Sequence, residues 1–161
     1  MHNELFMEMV RYYSGSPKQI QHFTKVHAYA KLIGELEKLP ADELFILEAA
    51  AMVHDIGIKA SKEKYGDSAG PHQEELGPAI AEDMLHRLGY QPEVISRVSY
   101  LVGHHHTYHD IDGLDYQILV EADFLVNLFE DNCQKDAVRQ AYEKIFKTDA
   151  GKKICAAMFA I

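Results

Sequence analysis

The stretch from Phe45 to Val53 is almost wholly apolar or small, and it runs directly into His54-Asp55 in the segment AAAMVHDIGIK. A helix of that composition belongs in a core, so it carries an imidazole and a carboxylate inward with it. Such groups are costly to bury unless they are paired, hydrogen-bonded or bound to a cation. Gly57, two residues on, easily accommodates a helix end. A satisfied buried ion pair and a metal site read alike from this segment alone, so the rest of the chain has to separate them.

Of ten histidines in 161 residues, eight fall in a few places: His22 and His27, His54, His72, then His104, His105 and His106 with His109. Imidazole is the commonest side-chain ligand of transition metals, and aspartate supplies hard oxygen donors. Asp123 lies in LVEADFLVNL, a second apolar stretch where a carboxylate is out of place. The two cysteines, Cys133 and Cys155, are too far apart for a CxxC element. Nitrogen and oxygen donors are therefore expected, not thiolates.

The pattern along the chain is helical and predicts an all-α, single-domain helical bundle over residues 1–161. Ser16-Pro17-Lys18-Gln19 offers an N-cap, a proline at the first helical position and a Gln three residues after the cap, predicting a helix to about Leu39. Pro40 opens the next, to His54. Residues 58–70 read as a polar loop. Residues 71–88 read as helix, with Pro78 as a kink or a true start. A helix from about Pro92 reaches the His104 cluster, residues 106–113 read as irregular, and Asp115 is placed to cap the helix carrying Asp123. Two last helices are expected near 134–147 and 148–159, packed on the core.

Bulk properties exclude several classes. A net charge of −9 lacks the basic footprint of a nucleic-acid polymer binder. No apolar run approaches the roughly 20 residues of a membrane span. The start, MHNELFMEMVRYY, does not read as a signal peptide, and two cysteines fit a reducing cytoplasm. A small phosphorylated partner is compatible with net negative charge, since bound cations reverse the local field.

Helix geometry ranks the first two histidines. With about 100° per residue and Val26 at the centre of the apolar face, His22 lies about 40° from that centre and His27 about 100° away. His22 points inward, and His27 sits on the flank, where it could line a substrate pocket.

The order His22-x-x-x-Val26, then His54-Asp55, then Asp123, in the settings HFTKVHAYA, AAMVHDIG, LGPAIAEDML and LVEADFLVNL, resembles the HD superfamily of metal-dependent phosphohydrolases over residues 17 to 130. The resemblance implies that His22, His54, Asp55 and Asp123 hold a divalent metal ion within a helical bundle. Two-metal relatives add a histidine in the pattern H-x-x-x-G-x-x-I-A and then a double histidine. Here the first of these positions, four before Gly77, is Gln73, and His72 is offset by one residue. His104 and His105 match the double histidine, as second-site ligands or proton donors. Relatives read HDIGK where this chain reads HDIGIK, so Lys59 is displaced by one, still within reach of a phosphate. Asn127, four residues after Asp123, shares its helical face and is placed to orient that carboxylate or touch substrate.

The implied function is a phosphomonoesterase or phosphodiesterase acting on a nucleotide or another small phosphorylated molecule, with one or two metal ions per chain. Imidazole-rich ligation favours manganese, iron, cobalt, nickel or zinc over magnesium. The alternative is a non-catalytic metal- or nucleotide-binding regulatory module.

Overall fold

The computed structural model describes residues Met1–Ile161. Its helices, in order, are α1 (His2–Tyr12), α2 (Pro17–Leu36), α3 (Ala41–Val53), α4 (Ile58–Tyr65), α5 (Gly70–Arg87), α6 (Pro92–Val102), α7 (Leu114–Glu130), α8 (Lys135–Lys144) and α9 (Asp149–Phe159). There are no strands, and no helix is long and apolar enough to cross a membrane.

An all-round apolar helix needs neighbours on every side, and α3 has them. It packs against α1, α2, α6 and α7, with Leu47 and the run Ala49–Val53 buried. The alanines let those neighbours approach closely. Helices α2 and α7 pack on each other and on α3, while α5 pairs with α6 on the far side and α4 lies along α5. Three core helices therefore deliver His22, His54 and Asp123 from different directions to one place.

Residues 58–65, expected as part of a loop, form α4. Its sequence IKASKEKY buries Ile58 and Ser61 and turns its lysines outward, a narrow buried face that a short polar segment conceals. Gly66 ends it in the left-handed conformation, φ 76°, and Ser61 Oγ donates to the Asp67 carbonyl at 2.7 Å. The N-terminal helix α1, unmarked in the sequence pattern, buries only Leu5 and Met9. Pro78 neither starts nor interrupts α5, which runs through it from Gly70. Gly113, not Asp115, caps α7. Asp115 instead accepts two bonds from Arg97, from Nε at 2.9 Å and Nη2 at 2.7 Å. Ser16 does occupy the cap position of α2 but makes no side-chain cap bond.

Gly57 serves a purpose other than ending a helix. A Cβ there would lie 2.7 Å from the Gln73 carbonyl oxygen, so glycine permits the turn after Asp55 to touch α5. That contact sets Gln73 beside the site.

Candidate functional site

Three histidines enter the centre of the bundle in the same orientation. His54 bonds through Nδ1 to the Ala51 carbonyl at 2.8 Å, and His105 through Nδ1 to the Val102 carbonyl at 2.8 Å. His22 directs Nδ1 to Glu130 Oε1 at 2.5 Å. A carbonyl or carboxylate accepts only, so each Nδ1 is the donor and each Nε2 is left facing the interior. Locking the outer nitrogen in this way is how proteins fix ligand histidines.

The inner atoms converge. His22 Nε2 lies 3.1 Å from Asp55 Oδ2, 3.2 Å from Asp123 Oδ1 and 3.2 Å from His54 Nε2. His54 Nε2 lies 3.4 Å from each of the same two oxygens. Ligands about 2.1 Å from a common ion stand about 3.0 Å apart at right angles and about 3.4 Å apart at the tetrahedral angle. The observed separations have the edge lengths of such a polyhedron. Asn127 Nδ2 donates to Asp123 Oδ1 at 3.0 Å and steadies that carboxylate.

Asp55 faces two ways. While Oδ2 meets His22 and His54, Oδ1 lies 3.4 Å from His105 Nε2. That nitrogen is buried with no hydrogen-bond partner and faces the carboxylate. Asp55, His105 and His106 can bring ligand atoms within 4.8 Å of one another, so the residues present suit a divalent cation in the first cluster and offer donors for a second.

The electrostatics follow from this crowding. Burial works against a charged His22, but hydrogen bonds to Asp123 and Asp55 outweigh it and raise its pKa to about 10. His54, also opposed by burial, is lifted well above its ordinary value by the same two carboxylates. Asp55 and Asp123 are pulled the other way: burial opposes ionisation, and His54 with its neighbours overcomes it. The cluster is two carboxylates held by imidazolium charge, the role a metal ion would take over.

The remaining expected residues divide. His104 does not face the cluster; it bonds the Tyr100 carbonyl at 2.7 Å and stacks on the Tyr100 ring. Helix α6 ends at Val102, and the turn that follows directs His105 and His106 inward, one residue later than the sequence pattern implied. His106 therefore faces the site cavity. Gln73 Nε2 donates to the Ser68 carbonyl at 2.7 Å, which leaves Gln73 Oε1 to accept from His106 Nε2 at 3.2 Å. Burial, and then the nearby His105, lower the pKa of His106 to about 4. His72 points out, bonded to Asp67 at 2.7 Å and stacked on Tyr65, while Gln73 takes the inward position. His27 pairs with Glu48 at 3.0 Å and is not among the residues of the site cavity. Its flanking position on α2 turns it to α3 instead. His109 is exposed beside Asp110.

A cavity of about 160 Å³ opens onto the cluster, lined by His22, Asp55, Gln73, His106, Asn127 and Glu130 among others. Glu130 had gone unremarked in the sequence. Its signal was the spacing Asp123, Asn127, Glu130, one helical face at i, i+4 and i+7.

A helical bundle with a buried histidine and aspartate cluster at its centre is the class that fold and site define. The chain matches the HD domain family over residues 20–147, and it belongs to that family. Among solved structures it resembles a predicted HD superfamily hydrolase from an uncultured Thermotogales bacterium, with a TM-score of 0.70 and 21% identity, covering 98% of this chain and 84% of that one. No curated protein matches the chain.

Proposed function

We propose that this protein is a metal-dependent phosphohydrolase acting on a small phosphorylated molecule. The observation that carries the reading is the convergence of His22, His54, Asp55 and Asp123 at ligand-edge separations beneath an open cavity. His22, His54 and Asp123 would hold the cation, with Asp55 completing the set and His105 and His106 available for a second ion. A bound divalent cation lowers the pKa of a coordinated water and offsets charge developing on a phosphoryl group.

The chain's own residues supply the rest. Glu130 and the Ala51 carbonyl fix the rings of His22 and His54, so these two are held before a substrate arrives. Asn127 holds Asp123 in register. His106, neutral and donating Nε2–H to Gln73, lines the cavity, where its Nδ1 is left as an acceptor for an O–H. The ligand set of imidazoles and carboxylates favours manganese, iron, cobalt, nickel or zinc over magnesium.

The test is phosphate release from a panel of nucleotides and sugar phosphates by protein loaded with manganese. Wild type is expected to turn over at least one class, and Asp55→Ala to lose that turnover while keeping its helical circular dichroism. Undiminished turnover in Asp55→Ala would remove the assigned site.

A further inference from the structure

A second cavity, of about 120 Å³, adjoins the first and shares Gln19 and Ile58 with it. Its lining includes Ser14, Ser16, Lys59 and Lys62 and no acidic residue, in a chain with 25 acidic and 16 basic side chains. The lysine–carboxylate pairs of this protein are Lys25–Glu130 and Lys64–Glu75. Lys59 and Lys62 have no such partner, and neither has Lys18 on the shared side of the first cavity. Lys59 Nζ donates to the Tyr12 carbonyl at 2.9 Å and lies 4.7 Å above the Tyr12 ring, which leaves further N–H donors free.

The second cavity is tied to the dyad. Tyr13 donates its hydroxyl to the Asp55 carbonyl at 2.6 Å, and Tyr12 donates to the Ile56 carbonyl at 3.0 Å. Both tyrosines line the basic cavity, so its distance from the cluster is fixed by backbone contacts. Unpaired ammonium groups and two serine hydroxyls, in a cavity that shares lining residues with the one over the cluster, are the recognition elements of a second phosphate.

We infer that this basic cavity is a subsite for a second phosphate of the substrate, so that the preferred substrates are small molecules carrying two phosphate groups, one at the His/Asp cluster and one between Lys59 and Lys62. The inference rests on the phosphohydrolase reading for the first group only, since anion binding at the lysines is measurable without turnover.

Two measurements separate the readings. The first is phosphate release by manganese-loaded full-length protein from nucleoside 5′-monophosphates and from the matching 3′,5′-bisphosphates. Wild type is expected to favour the bisphosphates in kcat/KM, and Lys59→Glu/Lys62→Glu to reduce that preference by about tenfold or more, mainly through KM. The second is calorimetric titration of inorganic pyrophosphate into chelator-treated full-length protein, whose fold is checked by circular dichroism. Saturable binding that weakens with added salt and falls about tenfold or more in the double variant is expected. Turnover with no bisphosphate preference, or pyrophosphate binding that the double variant leaves intact, overturns the subsite. No turnover of either member, with lysine-dependent pyrophosphate binding, sustains the subsite and discards the hydrolase.

Discussion

Glu130 Oε1 accepts from His22 Nδ1 at 2.5 Å, joining the last turn of α7 to the second turn of α2 across 108 residues of sequence. Lys25 Nζ stands 3.5 Å from the other oxygen of the same carboxylate. The ring of His22 is thus held from outside the cluster, and its inner nitrogen faces two carboxylates and His54. Partners of this kind are worth about 10–100-fold in metal affinity. Glu130→Ala is expected to weaken manganese or zinc binding by that amount in a competition titration, with Glu130→Gln losing less because it still accepts the bond. Equal affinity in wild type and Glu130→Ala would show that His22 needs no support.

The cluster also makes stability depend on pH, with opposite signs in the two states. In cation-free protein His22 titrates near 10 against about 6.5 unfolded. Its contribution is complete below about 6.5 and is lost as pH rises toward 10. Asp55 and Asp123 are depressed, so theirs is complete above about 3.9 and lost as pH falls below that value. With a cation bound, protons compete with it, and its stabilisation grows with pH. Thermal melts in chelator are expected to drop between about pH 6.5 and 10, and melts with excess zinc or manganese to rise relative to them over the same range. Parallel curves would contradict the imidazolium–carboxylate cluster.

Glu121 is a buried carboxylate that serves the fold rather than the site. It lies two residues before Asp123, on another face of α7, and accepts from the Lys147 and Thr148 amides at 3.1 Å each and from the Thr148 hydroxyl at 2.7 Å. Gln117 Nε2 donates to it at 2.6 Å. Glu121→Ala strands several buried donors, at about 1–3 kcal/mol for such a group. A loss of about 3 kcal/mol overall, or roughly 6–12 °C in Tm, is expected, with cation affinity unchanged. A melt within a degree of wild type would mean the α8–α9 turn is held by something else.

Arg97 clamps the segment that carries His105 and His106. Besides Asp115 it donates Nη2 to the Asp112 carbonyl at 2.6 Å, while the Tyr116 hydroxyl lies 2.8 Å from the His104 carbonyl and 2.5 Å from the Thr107 carbonyl, sharing its one proton between them. The Arg97 side chain is 26% exposed, so the loss in Arg97→Ala is set below that of a fully buried pair, at about 2 kcal/mol. Its specific sign is faster amide hydrogen exchange at His104 and Thr107, whose N–H groups bond within the turn at 3.1 and 2.8 Å. Unchanged exchange there would contradict the clamp.

The legible parts of this molecule were those governed by periodicity over long segments. The inward turn of His22 and the flanking position of His27 followed from angles around α2, and the buried His54 from the composition of α3. The one-residue offset between His72 and Gln73 was visible, and α5 keeps it. Less legible was whatever depended on where a short element stops. The end of α6 at Val102 decides that His105 and His106, and not His104, turn inward, and Gly103 caps it in an ordinary helical conformation that leaves the direction of the next turn open. α4 was hidden because its buried face is only Ile58 and the polar Ser61. Glu130 was concealed by distance, since its partner is 108 residues away and a glutamate at a helix end usually reads as solvated.

The central claim is that His22, His54, Asp55 and Asp123 share one cation. The most direct measurement is metal content per chain after exposure to equimolar manganese, iron, cobalt, nickel and zinc, followed by desalting, for wild type and for Asp55→Ala and Asp123→Ala. Wild type is predicted to retain at least one ion per chain, and both variants to retain much less while remaining helical. Retention by the variants equal to wild type, or no ion bound by wild type, would contradict it.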